Sequence, residues 1–104
     1  MGFERRTSAA WKMHPGEILK QEFLRPMGAT GYRLAKALDV NQQTVNDILL
    51  KKCGISAEMA LRLGKVFGTS AEFWMNLQAA YELADAKKTL RKKIKRVTPM
   101  EDVA

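Results

Sequence analysis

Five side chains that hydrogen-bond well and bury badly fall close together in this sequence: Gln42, Gln43, Thr44, Asn46 and Asp47, inside LAKALDVNQQTVNDI at 34–48. Their chemistry suits the edges of bases. Gln and Asn carry an amide that bonds bidentately to adenine N6 and N7, and Thr offers a hydroxyl to either edge or a methyl to thymine. Asp47 would repel phosphate, yet it can accept from cytosine N4. Cations stand on both sides, Arg33 and Lys36 before the run and Lys51 and Lys52 after it. They suit phosphates, whose contacts supply most nucleic-acid affinity. The plainer reading of the polar run is a solvated helix face behind an Asn cap. Residue types alone leave both open.

What decides between them is how the chain holds these side chains. Apolar residues recur at helical spacing, no period-two alternation is sustained and no internal repeat appears, so the predicted class is all-α. His14-Pro15-Gly16-Glu17 opens a first helix with Pro near its first position, where a missing N–H costs nothing. Ile18, Leu19, Glu22 and Phe23 form its stripe, and Pro26 is expected to end it. Thr30 caps a second helix with Tyr32, Leu34, Ala35 and Leu38 inward, and Asn41 caps a third with Val45, Ile48 and Leu49 inward. Ser56 caps a fourth, closing at Gly68, with Met59, Ala60, Leu63, Val66 and Phe67 as its apolar face. Thr69, three residues before Glu72, has the capping-box form. It opens a long fifth helix through Phe73, Trp74, Leu77, Tyr81 and Leu83, continuing by Leu90, Ile94 and Val97 to a stop before Pro99.

The second and third helices meet the demands of a helix-turn-helix. Ala35 is the small residue where the two touch, and Leu34, Leu38, Val40, Val45 and Ile48 fill the inner positions. Asp39 stands where Gly is usual; Asp tolerates the left-handed backbone better than most residues. With that buried set, Gln42, Gln43, Asn46 and Asp47 project from the first turns of the third helix. That is the part of a helix-turn-helix that enters the DNA major groove.

The totals exclude other classes. A chain of 104 residues, 46% apolar and 28% charged, suits one soluble domain. Its apolar runs are far too short to span a membrane, and the amino-terminal stretch has no apolar core of a secretory signal. One cysteine, Cys53, leaves no internal disulfide framework, so a cytoplasmic location is expected. There is no Gly-rich phosphate loop, metal spacing or nucleophile–base pair, so neither an enzyme nor a cofactor is expected. Glu17, Glu58 and Glu72 sit near helix N-termini, where the macrodipole accounts for them. His14 reads as a capping or packing residue. Cys53 reads as an incidental thiol; Lys51 and Lys52 beside it would lower its pKa, and a redox switch is the alternative.

The net charge of +7 is uneven. Residues 87–104 carry seven Lys/Arg against two Asp/Glu, and residues 1–86 carry eleven against nine. The organisation expected is a flexible arm at 1–12, a domain at 13–86 and a basic extension at 87–104. That extension is either a solvated helix end or a polyanion contact. A helix from Glu72 to Val97 would be on the order of 39 Å long, more than helices one to four can cover. Part of it is therefore expected to form a homodimer contact, assigned to Phe73, Trp74, Leu77 and Tyr81. A dimer would set two third helices roughly 34 Å apart, matching successive major grooves.

The stretch LAKALDVNQQTVNDI resembles the helix-turn-helix of the Cro/cI-like, or XRE, group. Its flanks narrow the resemblance: MHPGEILKQEFLRPMG at 13–28 and GISAEMALRLGKVFGTSAEFWMNLQAAYEL at 54–83 are similar to HigA-type antitoxins, also called VapI-like plasmid-maintenance antidotes. It covers about residues 13–86. It implies a five-helix phage-repressor-like domain with a long C-terminal helix, dimeric on double-stranded operator DNA in its own promoter. It also implies neutralisation of a HigB-type toxin, a ribosome-dependent mRNA endonuclease. By position, Gln42, Gln43, Thr44, Asn46 and Asp47 would read bases, while Asn41, Arg33 and the basic residues would meet phosphates. Leu50-Lys51-Lys52 departs from the family's usual Asn-Gly-Lys, so the backbone route there is not carried over. The rival readings are a stand-alone repressor, an adaptor that no longer binds DNA, and RNA binding through the basic extension.

Overall fold

The computed structural model describes residues 13–102, so the arm expected at 1–12 lies outside the described residues. The first helix, α1, is a continuous rod of three segments, Pro15–Ile18, Leu19–Leu24 and Arg25–Met27. Its middle segment is a π-helix, closed by the Arg25 N–H on the Lys20 carbonyl. Pro26 has no N–H and its ring crowds the carbonyl one turn back, and a widened turn just ahead accommodates both. The helix consequently does not stop at Pro26. It ends at Gly28, in the left-handed region at φ 63°.

The other helices are α2 (Gly31–Leu38), α3 (Gln42–Leu49), α4 (Ala57–Phe67), α5 (Ala71–Thr89) and α6 (Arg91–Lys95), followed by a 3-10 turn at Met100–Asp102. Thr30, Asn41 and Ser56 cap α2, α3 and α4 with side-chain oxygens that accept N–H bonds from the first turn. Ser70, not Thr69, caps α5: its Oγ accepts from the Phe73 N–H at 3.0 Å. The Thr69 hydroxyl is occupied elsewhere, accepting from the Trp74 indole N–H at 2.7 Å. The long helix also differs from expectation at its far end. It runs unbroken through Thr89 and is interrupted at Leu90 (φ −105°, ψ 15°), with the short α6 beyond.

All five longer helices feed one core: Ile18 and Leu19, Leu34 and Leu38, Val45 and Ile48, Ala60 and Leu63, Trp74 and Leu77. Trp74 is 0% exposed, with ring centroids of Phe23 at 5.0 Å and Phe73 at 5.1 Å. Each such side chain contributes on the order of 1.5–3 kcal/mol by leaving water. Tyr32 does not join them. It is 52% exposed because it lies two positions before Leu34, on the opposite side of α2, where Lys36 Nζ stands 5.2 Å from its ring. Among the described residues no helix is long and apolar enough to cross a membrane.

Candidate nucleic-acid interface

The turn between α2 and α3 begins at Asp39, which adopts the left-handed conformation (φ 59°, ψ 47°). The N–H groups of Asp39 and Val40 return to the carbonyls of Lys36 and Ala35 at 3.2 and 3.1 Å. The carbonyls of Leu38 and Asp39 accept from Arg62 Nη1 of α4 at 2.7 and 3.3 Å. Glu58 holds that guanidinium from one turn earlier, accepting from Nη2 at 2.8 Å and from Nε at 3.1 Å. Sequence reasoning missed Arg62. Its signal was the Glu58–Arg62 spacing of four; its reach to α2 is tertiary.

Complete burial of Val45 and Ile48 fixes the rotation of α3 and sorts the polar run. Gln42 and Gln43 are exposed, whereas Thr44, Asn46 and Asp47 are half-buried. Asn41 Oδ1 accepts from both the Thr44 N–H at 2.8 Å and the Thr44 hydroxyl at 2.9 Å, so that hydroxyl proton belongs to the cap. Gln43 Nε2 donates to Asp47 Oδ1 at 2.7 Å and holds the two side chains as a pair. Asn46 lines a hollow of about 420 Å³ between α1 and α3, beside Lys20, Leu24, Arg25 and Leu49. Lys20 and Arg25 thus bring two further cations near α3 that the sequence reading left out. Arg33, Lys36, Asn41, Lys51 and Lys52 are all exposed around it.

Beyond α3 the chain turns through Lys51 at φ 64°, at the position where the family usually carries Gly. A side chain in this conformation costs on the order of 1 kcal/mol. The turn is held by neighbouring elements. Gly16 of α1 packs so closely beneath the Ile48 carbonyl that a Cβ there would collide with it. His14 Nδ1 accepts from the Gly16 N–H at 2.9 Å, giving His14 the capping role expected of it. Its ring meets the Tyr81 ring edge-on at 5.0 Å. Burial above all, then the Lys51 charge, pushes the His14 pKa below 6.5, against a backbone hydrogen bond with Cys53 that raises it. A hydrogen bond from Gln21 and the Lys51 ammonium at 3.7 Å hold the Glu17 carboxyl below its ordinary range. Gln78, also missed, is a buried strut: Oε1 accepts from the Ile55 N–H at 2.7 Å, and Nε2 donates to Glu82 at 2.7 Å.

Two expectations fail here. The Cys53 thiol is not activated by its lysines; burial, and then Asp47, push its pKa up. Phe73, Trp74 and Leu77, assigned to the dimer contact, are 5%, 0% and 1% exposed within their own protomer. They lie on the face of α5 that closes the core, so they have no surface to offer a partner. Tyr81 is half-buried against His14.

Two helices joined through a left-handed turn, the second capped and turning Gln42 and Gln43 outward, define a helix-turn-helix protein of the phage-repressor type. No family model matches the chain. It is 48% identical over 75 residues to virulence-associated protein I of Dichelobacter nodosus, covering 72% of this chain and 69% of that one. With antitoxin HigA-1 of Vibrio cholerae serotype O1 it shares 39% identity over 85 residues, 82% of this chain and 80% of the other. Its fold matches Pseudomonas aeruginosa antitoxin HigA, solved with the higBA promoter, at a TM-score of 0.82 and 50% identity, over 86% of this chain and 98% of that one. The chain belongs to the HigA/VapI family of helix-turn-helix antitoxins.

Proposed function

We propose that this protein is the antitoxin of a type II toxin–antitoxin pair, a homodimeric, cytoplasmic autorepressor of its own promoter that also neutralises a HigB-type mRNA endonuclease. The observation that carries the DNA half is the sorting of α3: Val45 and Ile48 point fully inward while Gln42 and Gln43 stand exposed at its capped start. The Gln42 amide is free to bond adenine N6 and N7 in the major groove. The exposed Asn41, Arg33, Lys36, Lys51 and Lys52 lie on either side of α3 for the phosphates. The Gln43–Asp47 pair acts as one reading unit, with Asn46 deeper and the Thr44 methyl beside the cap. Family membership carries the toxin half.

The test is binding of the full chain to DNA from its own promoter, by fluorescence anisotropy across a salt series. Gln42→Ala is expected to cost about 1–3 kcal/mol on the operator while leaving binding to unrelated DNA unchanged. Equal losses on both DNAs would sink base reading by α3. Co-expression with the neighbouring gene is expected to yield a complex. Operator binding without a co-purifying partner would instead indicate a stand-alone repressor.

A further inference from the structure

Gln42 and Gln43 stand side by side, both exposed at the start of α3. Among the described residues, a side-chain partner holds the amide of Gln43 and none holds that of Gln42. Gln43 Nε2 donates to Asp47 Oδ1 at 2.7 Å, one turn on along the same face of the helix. Asp47 is the firmer partner: it is half-buried, and its backbone carbonyl accepts from the Lys52 N–H at 2.8 Å. A carboxylate only accepts, so it fixes which end of the amide faces it. Turning Gln43 over would set Oε1 against Oδ1, acceptor on acceptor. Oε1 and the second N–H are therefore left for the groove, one acceptor beside one donor.

We infer that Asp47 is a positioning residue, which makes Gln43 select adenine and reject guanine at one base pair; the inference rests on base reading by α3. Adenine shows the major groove a donor, N6–H, beside an acceptor, N7. These complement the acceptor and donor that Gln43 has left. Guanine shows two acceptors, O6 and N7. To meet them the amide must aim its N–H groups at the base and give up the charge-assisted bond to Asp47. The carboxylate, left without that donor, then faces the acceptor edge of guanine. Thymine offers O4 and a methyl group, and cytosine a lone donor, so neither pairs with both atoms. Gln42 has no such anchor. Its amide can turn to meet guanine as well as adenine, so the two neighbouring glutamines differ in strictness.

The test is selection of duplexes from a randomised DNA pool by the full-length chain, sequenced to give a preference at each base pair. Gln42→Ala and Gln43→Ala should each flatten the pair that the lost side chain reads, and so assign it. At the Gln43 pair the parent is expected to favour adenine over guanine on the order of 30-fold, as one bidentate contact allows. Asp47→Asn keeps the shape but can turn its own amide either way, so the ratio should fall to roughly 3-fold. The Gln42 pair should not change. Ratios come from folded protein alone, so a less stable variant does not imitate this result. Guanine or a pyrimidine at the Gln43 pair, or a parental ratio in Asp47→Asn, would overturn the inference and leave base reading intact. So would a change confined to a pair that Gln43 does not read, which would make Asp47 a direct reader. A change spread over every pair would overturn it too, since positioning acts through Gln43 alone. A parent that enriches no sequence, or alanine variants that flatten no pair, would remove base reading by α3 and this inference with it.

Discussion

Helix α3 is approached and left through the same uncommon backbone conformation, at Asp39 (φ 59°) before it and Lys51 (φ 64°) after it. What holds the two turns differs. The first is fastened from outside by a partly exposed guanidinium, Arg62, bonded to two carbonyls. The second is held from beneath by close packing, Gly16 under Ile48 and a buried His14 beside it. A polar clip can be removed without moving the backbone, whereas a packed joint cannot. The turn before α3 is therefore fastened by a polar clip, and the turn after it is fixed by packing against α1.

The largest expected effect falls on the packed side. Gly16→Ala should cost about 3 kcal/mol in urea unfolding, because the Cβ meets a backbone carbonyl that cannot rotate away. On the clipped side, Arg62→Met should cost about 1–2 kcal/mol, since water can partly replace the lost donors. Equal losses at the two sites would erase the contrast.

A third difference lies in pH. The pKa of His14 is lowered in the folded state, so the unfolded chain takes up its proton more readily. Its contribution is present in full above about pH 6.5 and is lost as the pH falls through that value towards the folded pKa. Thermal melts should show this loss in the parent and in Arg62→Met. In His14→Asn, which keeps a capping side chain but does not titrate, the loss should be absent. A parent melt flat from about pH 7 to 5 would contradict the lowered pKa of the packed histidine.

The smallest effects are the most diagnostic. Asp39→Gly and Lys51→Gly should each stabilise the fold by about 1 kcal/mol or less, through relief of the left-handed strain. Their effects on DNA should diverge. Lys51→Gly should reduce the slope of affinity against salt by about one unit, and Asp39→Gly should leave it unchanged.

Sequence reading succeeded where a residue's role is settled within a few positions of itself. Thr30, Asn41 and Ser56 cap as expected, because a short side chain reaches an N–H three residues on wherever a helix starts. Asp39 takes the left-handed turn, and Leu34, Leu38, Val45 and Ile48 are buried. It failed where distant parts compete for one group. Thr69 has a capping form, yet its hydroxyl goes to an indole whose position depends on the whole ring cluster. Pro26 has the form of a stop, yet the widened turn before it carries the helix on. The apolar residues of α5 were all visible, but their division into an inner and an outer face was not.

The sequence by itself determined the helices, their caps and the polar composition of the α3 surface, since these follow from local hydrogen bonding and a period of 3.6. Only the tertiary structure decided which polar side chains stand outermost, that Arg62 clips the turn, and that Phe73, Trp74 and Leu77 belong to the core. The physical reason is that burial and close contact belong to pairs of elements, and a periodic pattern gives the faces of a helix without saying which neighbour covers each one.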